Sequence, residues 1–290
     1  MNSVLRSFTT TSSMPLVLRR EIARKLVPRD GSDFEIELSG KPYRGKLDNY
    51  IEWLVYVTGD YFEFSYLNLI KSLLDGGTAL DIGGNVGNHT HAFAAHFDRV
   101  HSFEPFAKVA ERLVEKASHF DNASVHQVAL SNENGELSFE EPETENWGTG
   151  KISESGSIKV PVKIGDDFLE EENVGPVNFV KIDVEGHEIS VLEGLQKTVH
   201  RDRPVVMFEV PRAWLKNGGE GLGALTPLFP EDYEFVGFRG QSSFPVQRQF
   251  AKVVPVDCRK PGSFSGKLSY LFAFGPERGF KVGSNGTITR

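Results

Sequence analysis

A single cysteine, Cys258, stands in 290 residues, so no intrachain disulfide can form. A zinc site built on two or more thiolates is excluded for the same reason. No apolar run approaches the roughly 18–20 residues that a membrane-spanning helix needs. Positive charge is also in short supply: 32 Lys and Arg face 40 Asp and Glu, a net charge of −8. A surface of that sign disfavours non-specific nucleic-acid binding. These absences point to a reducing, cytoplasmic setting without a nucleic-acid partner or a transmembrane segment. With 39% hydrophobic and 25% charged residues, the composition is that of an ordinary globular protein, and the length suits one large domain with additions.

The charge is uneven. Residues 1–29 hold six basic side chains (Arg6, Arg19, Arg20, Arg24, Lys25, Arg29) against Glu21, a net of +5, which leaves −13 for the rest. This start is rich in Ser and Thr and resembles an organellar transit peptide in composition. A solvated tail leading into a short helix at about 16–26 is the preferred reading. Residues 1–30 are thus expected to be a basic, flexible segment, 31–76 a hairpin with a covering helix, and 77–290 the main domain.

Residues 33–47 read as a hairpin turning at Ser39-Gly40. Between Asn49 and Leu74 aromatic residues are dense, and Phe64, Leu67, Ile70 and Leu74 have helical spacing. This stretch is expected to pack on a sheet, with Tyr61 or Glu63 placed to close over a bound ligand. Strands and helices alternate from Thr78 onward, the mark of a parallel α/β sheet. Strands are expected at 78–82, 99–104, 124–130, 177–183, 204–210, 233–238 and 268–274. One helix is expected to carry Ile189, Leu192, Leu195 and Val199. Residues 135–162 break the alternation and read as two or three exposed antiparallel strands. Residues 239–267 form a long connection, of a length that is usually functional or mobile.

The most informative segment is Ala79-Leu80-Asp81-Ile82-Gly83-Gly84-Asn85-Val86-Gly87-Asn88. A glycine turn between strand and helix lets backbone approach a ligand closely, and the helix start offers free N–H groups. Asp81 ahead of the glycines repels a pyrophosphate and suits a ligand bearing an ammonium group. The dinucleotide pattern Gly-x-Gly-x-x-Gly fits poorly, because Ile82 falls where its first glycine belongs.

Acids also stand at four parallel strand ends: Asp81, Glu104, Asp183 and Glu209. Ligands of doubly wound sheets sit beyond those ends, and buried carboxylates need partners. Glu104, at the end of the second strand, is placed to accept hydrogen bonds from a ribose diol, the role of an acid about 20 residues past the glycine turn.

Leu80-Asp81-Ile82-Gly83-Gly84-Asn85-Val86-Gly87, Phe103-Glu104-Pro105, Val128-Ala129-Leu130-Ser131 and Phe179-Val180-Lys181-Ile182-Asp183-Val184-Glu185-Gly186-His187-Glu188 together resemble the FkbM family of S-adenosylmethionine-dependent methyltransferases. The resemblance runs from about Thr78 to Val210. It implies a doubly wound, Rossmann-like class I sheet, mostly parallel with an antiparallel last strand. It also implies O-methylation of a hydroxyl on a sugar, glycan, lipid or secondary metabolite. The expected cofactor residues are Asp81, Gly83, Gly84, Asn85, Gly87, Asn88, Glu104, Pro105 and Ala129.

A hydroxyl is a poor nucleophile at neutral pH and benefits from a base or a metal. Asp183 is the leading candidate, with Glu209 and His187 assisting, and oxygen ligands at Asp183 and Glu209 would suit Mg²⁺. Lys181 has two readings, as partner of a neighbouring carboxylate or as a substrate contact. His187 has two as well, an ordinary first-turn helix residue or a base, whereas His89 and His91 are expected to be structural. A donor-binding module without turnover and an NAD-dependent oxidoreductase are the alternative functions. The acceptor is expected to be shaped by 141–162, 211–225 and 239–267.

Overall fold

The computed structural model describes residues 25–142, 147, 150–211, 214–215, 220–239, 252–260, 268–284 and 286–290. The helix expected at 16–26 lies almost wholly outside them. The chain enters as a hairpin, β1 (Asp33–Leu38) and β2 (Lys41–Lys46), antiparallel in register. Ser39 and Gly40 both take positive φ (52° and 75°), the turn that matches strand twist in a two-residue loop. Helix α1 (Tyr50–Thr58) is capped by Asn49, whose side chain accepts from Glu52 N–H, and ends at Gly59 in the left-handed region. Helix α2 (Phe64–Leu73) follows, as its spacing predicts.

The central sheet is built from β3 (Thr78–Ile82), β4 (Arg99–Phe103), β5 (Ala123–His126), β10 (Val177–Ile182), β11 (Val205–Glu209), β12 (Glu234–Arg239), β13 (Lys252–Pro255) and β14 (Tyr270–Phe274). Its order is β13-β12-β14-β11-β10-β3-β4-β5. The five strands β5, β4, β3, β10 and β11 are mutually parallel, and β14 runs antiparallel between β11 and β12. This is the expected doubly wound sheet with an antiparallel last strand. An eighth strand, β13, extends the edge from within the long 239–267 connection.

Helices α3 (Asn88–Ala94) and α4 (Ala107–Ala117) link the first three strands. Helix α5 (Gly165–Glu171) leads to β10, and α6 (Glu188–Gly194) and α7 (Gln196–Asp202) connect β10 to β11. The single helix expected over Ile189–Val199 is therefore two, broken at Leu195. The strand expected at 124–130 also divides. Its first part, β5, joins the main sheet, and β6 (Ala129–Ser131) turns into a separate sheet with β7 (Gly135–Glu140), β8 (Lys151–Ile152) and β9 (Ile158–Ile164), in the order β6-β9-β7-β8. A short pair, β15 (Lys281–Val282) and β16 (Ile288–Thr289), closes the chain.

Strand alternation sorts the core into two layers. Leu80, Ile82, Val180, Ile182, Val206 and Phe208 pack with α6, and Ala79, Phe179, Val205 and Met207 pack with α2 and α3. The N-terminal unit is joined to this second layer by buried polar groups. His91 lies between the Tyr61 hydroxyl (2.7 Å from Nδ1) and the Pro42 carbonyl (3.0 Å from Nε2), and burial lowers its pKa to about 4. It is structural, as the sequence suggests. On α1, the buried Glu52 accepts from Lys116 Nζ at 2.6 Å, from Lys46 N–H at 3.0 Å and from Arg112.

Candidate active site

The strand order reverses between β3 and β10, where a doubly wound sheet leaves a crevice beyond its carboxyl ends. A cavity of about 330 Å³ occupies that position. The glycine loop forms its floor. Gly83 and Gly84 N–H groups both reach the Phe103 carbonyl (3.0 and 2.9 Å), which pins the loop to the end of β4. Gly83 has φ 79°, and a Cβ there would stand 1.9 Å from the Asp183 carbonyl oxygen. Only glycine lets the ends of β3 and β10 close to this distance.

Of the expected cofactor residues, Gly83, Gly84, Asn85, Asn88, Glu104, Pro105 and Ala129 line the cavity. Asp81 does not. It is fully buried, its Oδ2 accepts from Thr90 Oγ1 at 2.7 Å, and its Oδ1 is 3.4 Å from Lys181 Nζ. Sheet parity explains the correction: Asp81 shares the face of Ala79 and points at α3, away from a ligand beyond the strand end. Gly87 is also behind the wall, capping α3 with φ 85° against Leu113. Asn88 holds the covering segment in place, its amide donating to the Phe62 carbonyl (3.1 Å) and accepting from Phe62 N–H (3.0 Å).

Glu104 is 8% exposed and accepts from Asn85 N–H (3.1 Å) and Phe106 N–H (3.0 Å). Burial dominates over these bonds and lifts its pKa to about 7. A carboxylate in this state titrates within the physiological range.

Asp183, Glu185 and Glu209 each bring an oxygen to within 4.8 Å of one another. Burial works against charge on Asp183, yet Lys181 at 3.4 Å, His89 and the Tyr270 hydroxyl at 3.1 Å hold its carboxyl below the usual range. Glu209, buried and facing Asp183, Glu185 and Glu188, is pushed up to about 9. The pair therefore shares one proton at neutral pH, with the charge on Asp183. Glu185, with φ 55°, is raised by burial and by Asp183. Lys181 is buried opposite Asp81 in the β3–β10 register and pairs with both Asp81 and Asp183, the first of its two readings. The three carboxylates match the chemistry of a divalent-cation site, although Lys181 and the shared proton already let them coexist.

His187 immediately precedes α6 and lines the cavity, with Nε2 2.9 Å from Ser131 Oγ. Burial lowers its pKa, so the ring is neutral. His89, expected to be structural, in fact faces the cavity and lies 3.3 Å from Glu63 Oε2. Glu63 lines the wall as anticipated, whereas Tyr61 turns inward to His91. Tyr270 carries no sequence signal, yet its hydroxyl reaches both Glu63 (2.9 Å) and Asp183 (3.1 Å). The small sheet supplies the outer wall through Phe139, Pro142, Trp147, Lys151 and Ile152. Of the segments expected to shape the acceptor side, 141–162 brings Pro142, Trp147, Gly150, Lys151 and Ile152 to the cavity; 143–146, 148–149, 212–213, 216–219, 240–251 and 261–267 lie outside the described residues.

A family profile described as the methyltransferase FkbM domain matches residues 81–240. The chain is 34% identical over 116 residues to the hexuronic acid methyltransferase AglP of Haloferax volcanii, a match covering 40% of this chain and 48% of AglP. It is 26% identical over 171 residues to the 2-O-methyltransferase NoeI of Sinorhizobium fredii, covering 52% of this chain and 70% of NoeI. The alignment thus spans about half the length of AglP. A solved structure, the methyltransferase FkbM from Methylobacillus flagellatus, superposes with a TM-score of 0.45 at 16% identity, covering 76% of this chain and 52% of that one. The profile takes in more than half of the sequence, including the glycine loop, Glu104 and the whole carboxylate cluster, and on that match the chain belongs to the FkbM methyltransferase family.

Proposed function

We propose that the protein transfers the methyl group of S-adenosylmethionine to a hydroxyl of a sugar, glycan or related small acceptor, with Asp183 as the base. The observation that carries this reading is the cluster of Asp183, Glu185 and Glu209, whose oxygens come within 4.8 Å of one another in the cavity that the glycine loop also lines. Donor binding alone requires no such cluster. NoeI, named as a 2-O-methyltransferase, supports a hydroxyl acceptor.

The residues present fit this donor. The close approach at Gly83 leaves backbone, not side chain, at the cavity floor. Glu104 offers carboxylate oxygens to a ribose diol, and the cavity offers the flat rings of Phe106 and Trp147 with the apolar side chain of Val109. Carboxylates around the cavity favour a cationic ligand. When bound, the donor supplies an electrophilic methyl carbon. Asp183 accepts the proton of the acceptor hydroxyl, Lys181 holds that carboxylate in place, and Glu209 keeps its own proton and steadies the charge. Much of the rate enhancement then comes from alignment of the oxygen with the methyl carbon.

Calorimetric titration tests the donor reading. S-adenosylmethionine is expected to bind in the micromolar range, about −8 kcal/mol, and NAD not at all. Glu104→Ala should weaken the donor by about 1.5–3 kcal/mol, the loss of a charge-assisted hydrogen bond. Because the wild-type carboxyl titrates near pH 7, affinity should rise as pH increases through 7 and flatten above it, and Glu104→Ala should remove that slope. Tight NAD binding without donor binding would reject this function.

A further inference from the structure

The family profile begins at residue 81 and ends at residue 240, yet five residues outside it line the cavity, Glu63 and Tyr270 among them. Glu63 comes from the segment before α2, and Tyr270 opens β14. Glu63 stands at the helix N-cap position with φ 61° and makes no side-chain capping bond. A glutamate in the left-handed region is uncommon and strained. Its carboxylate accepts instead from the Tyr270 hydroxyl and lies beside His89. Reciprocal hydrogen bonds between Asn88 and the Phe62 backbone hold the segment in this conformation. Among the described residues, three of the six non-glycine residues with positive φ (Glu63, Asn85 and Glu185) line this one cavity.

Tyr270 has one hydroxyl proton for two carboxylates, Glu63 and Asp183. It can satisfy only one of them at a time, and both carboxylates line the cavity. Charge at the cavity is one-sided. Glu63, Asp183 and Glu185 line it together with Glu104 and the protonated Glu209, and the two lysines among the described lining residues are paired, Lys181 with Asp81 and Asp183 and Lys151 with Glu140 at 3.6 Å. An anionic acceptor would meet like charge there, at a cost that low dielectric enlarges.

We propose that Glu63 and Tyr270 form the acceptor wall, that they hold neighbouring hydroxyls of a neutral polyhydroxyl compound beside Asp183, and that this wall rejects uronates. This rests on the methyl-transfer reading. The bond that forms joins acceptor oxygen to the methyl carbon, the methyl–sulfur bond breaks with its electron pair left on sulfur, and the hydroxyl proton passes to Asp183.

The test is transfer of labelled methyl from S-adenosylmethionine to a mixed oligosaccharide pool, split by anion exchange into neutral and uronate-bearing fractions. A portion of the uronate fraction has its carboxyls reduced to primary alcohols. Label is expected in the neutral and reduced fractions and not in the unreduced uronates. Glu63→Gln should raise KM for the labelled neutral fraction about tenfold or more, with donor affinity within about twofold of wild type, and should narrow the discrimination against uronates. Tyr270→Phe should lower kcat more than it raises KM. Label in the uronate fraction, label in no fraction, or unchanged KM in Glu63→Gln would each overturn the proposal. The fraction assay on wild type does not depend on the variants folding. Failure of the donor to bind wild type would instead reject the methyl-transfer reading itself.

Discussion

Replacing Asp183 by Asn is expected to lower turnover by about 10²–10⁴-fold, the usual scale for a general base, while donor affinity changes little. The substitution keeps one oxygen and the side-chain shape but removes the charge that Lys181 stabilises at 3.4 Å. It also removes the base without touching Glu104 or the glycine loop. Asp183 remains ionised through neutral pH because its pKa is held low, with the proton of the pair on Glu209. As pH rises past about 9, Glu209 ionises as well, and wild-type activity should change there because a second charge enters the cluster. A chelator added to wild type separates two roles for the carboxylates. Indifference fits a base, and loss restored by Mg²⁺ fits a metal ligand. Near-normal turnover in Asp183→Asn would reduce Asp183 to a structural partner of Lys181.

The second large effect is on stability. Glu52→Ala should destabilise the fold by about 3–5 kcal/mol, measured by urea unfolding near pH 7. Glu52 is fully buried on α1 and receives Lys116, Arg112 and the Lys46 N–H. Truncation leaves two cations without their carboxylate in a dry environment, and breaking a buried pair from one side is the costly case. Burial already depresses Lys116 below the ordinary lysine value, against the opposing pull of Glu52. Without Glu52 that depression deepens, so between the folded and unfolded pKa values the unfolded chain holds more protons and stability rises with pH. The deficit of Glu52→Ala should accordingly shrink as pH approaches that of free lysine. A loss under about 1 kcal/mol would show that the triad is not what binds α1 to α4. Since α1 carries Tyr50 and Ile51 into the cavity and α4 carries Val109, the loosened variant should also bind donor less well.

What could be read from the sequence was local. The glycine loop announces itself because a turn between β3 and α3 needs glycine at Gly83, where a Cβ would strike the Asp183 carbonyl. Acids at strand ends announce the crevice, and the β10 motif brings Asp183, Glu185 and His187 with it. Asp81 shows the limit of reading by motif. Its position in the loop signature suggests a ligand contact, whereas strand parity with Ala79 sends it to Thr90 and Lys181. The break at Leu195 was hidden because one helical period runs through Ile189, Leu192, Leu195 and Val199. Beside the break, Gly194 closely approaches the Ser131 carbonyl, 63 positions away in the sequence, and a Cβ there would sit 1.9 Å from that oxygen. The division of β5 from β6 was concealed in one continuous apolar stretch. Tyr270 and Glu63 were the hardest to see together, since their contact joins residues 207 apart and only the antiparallel insertion of β14 creates it.

Hydrogen exchange with and without S-adenosylhomocysteine tests the central claim most directly, because it asks where the donor sits. Slowed exchange is expected in residues 83–89, 103–107 and 128–130, which surround the floor of the cavity. Exchange in the β15–β16 pair, which contributes no residue to the cavity lining, should stay unchanged. Binding that leaves the glycine loop and the Glu104 segment unprotected, or that protects a different region, would contradict the assignment of this cavity as the donor site.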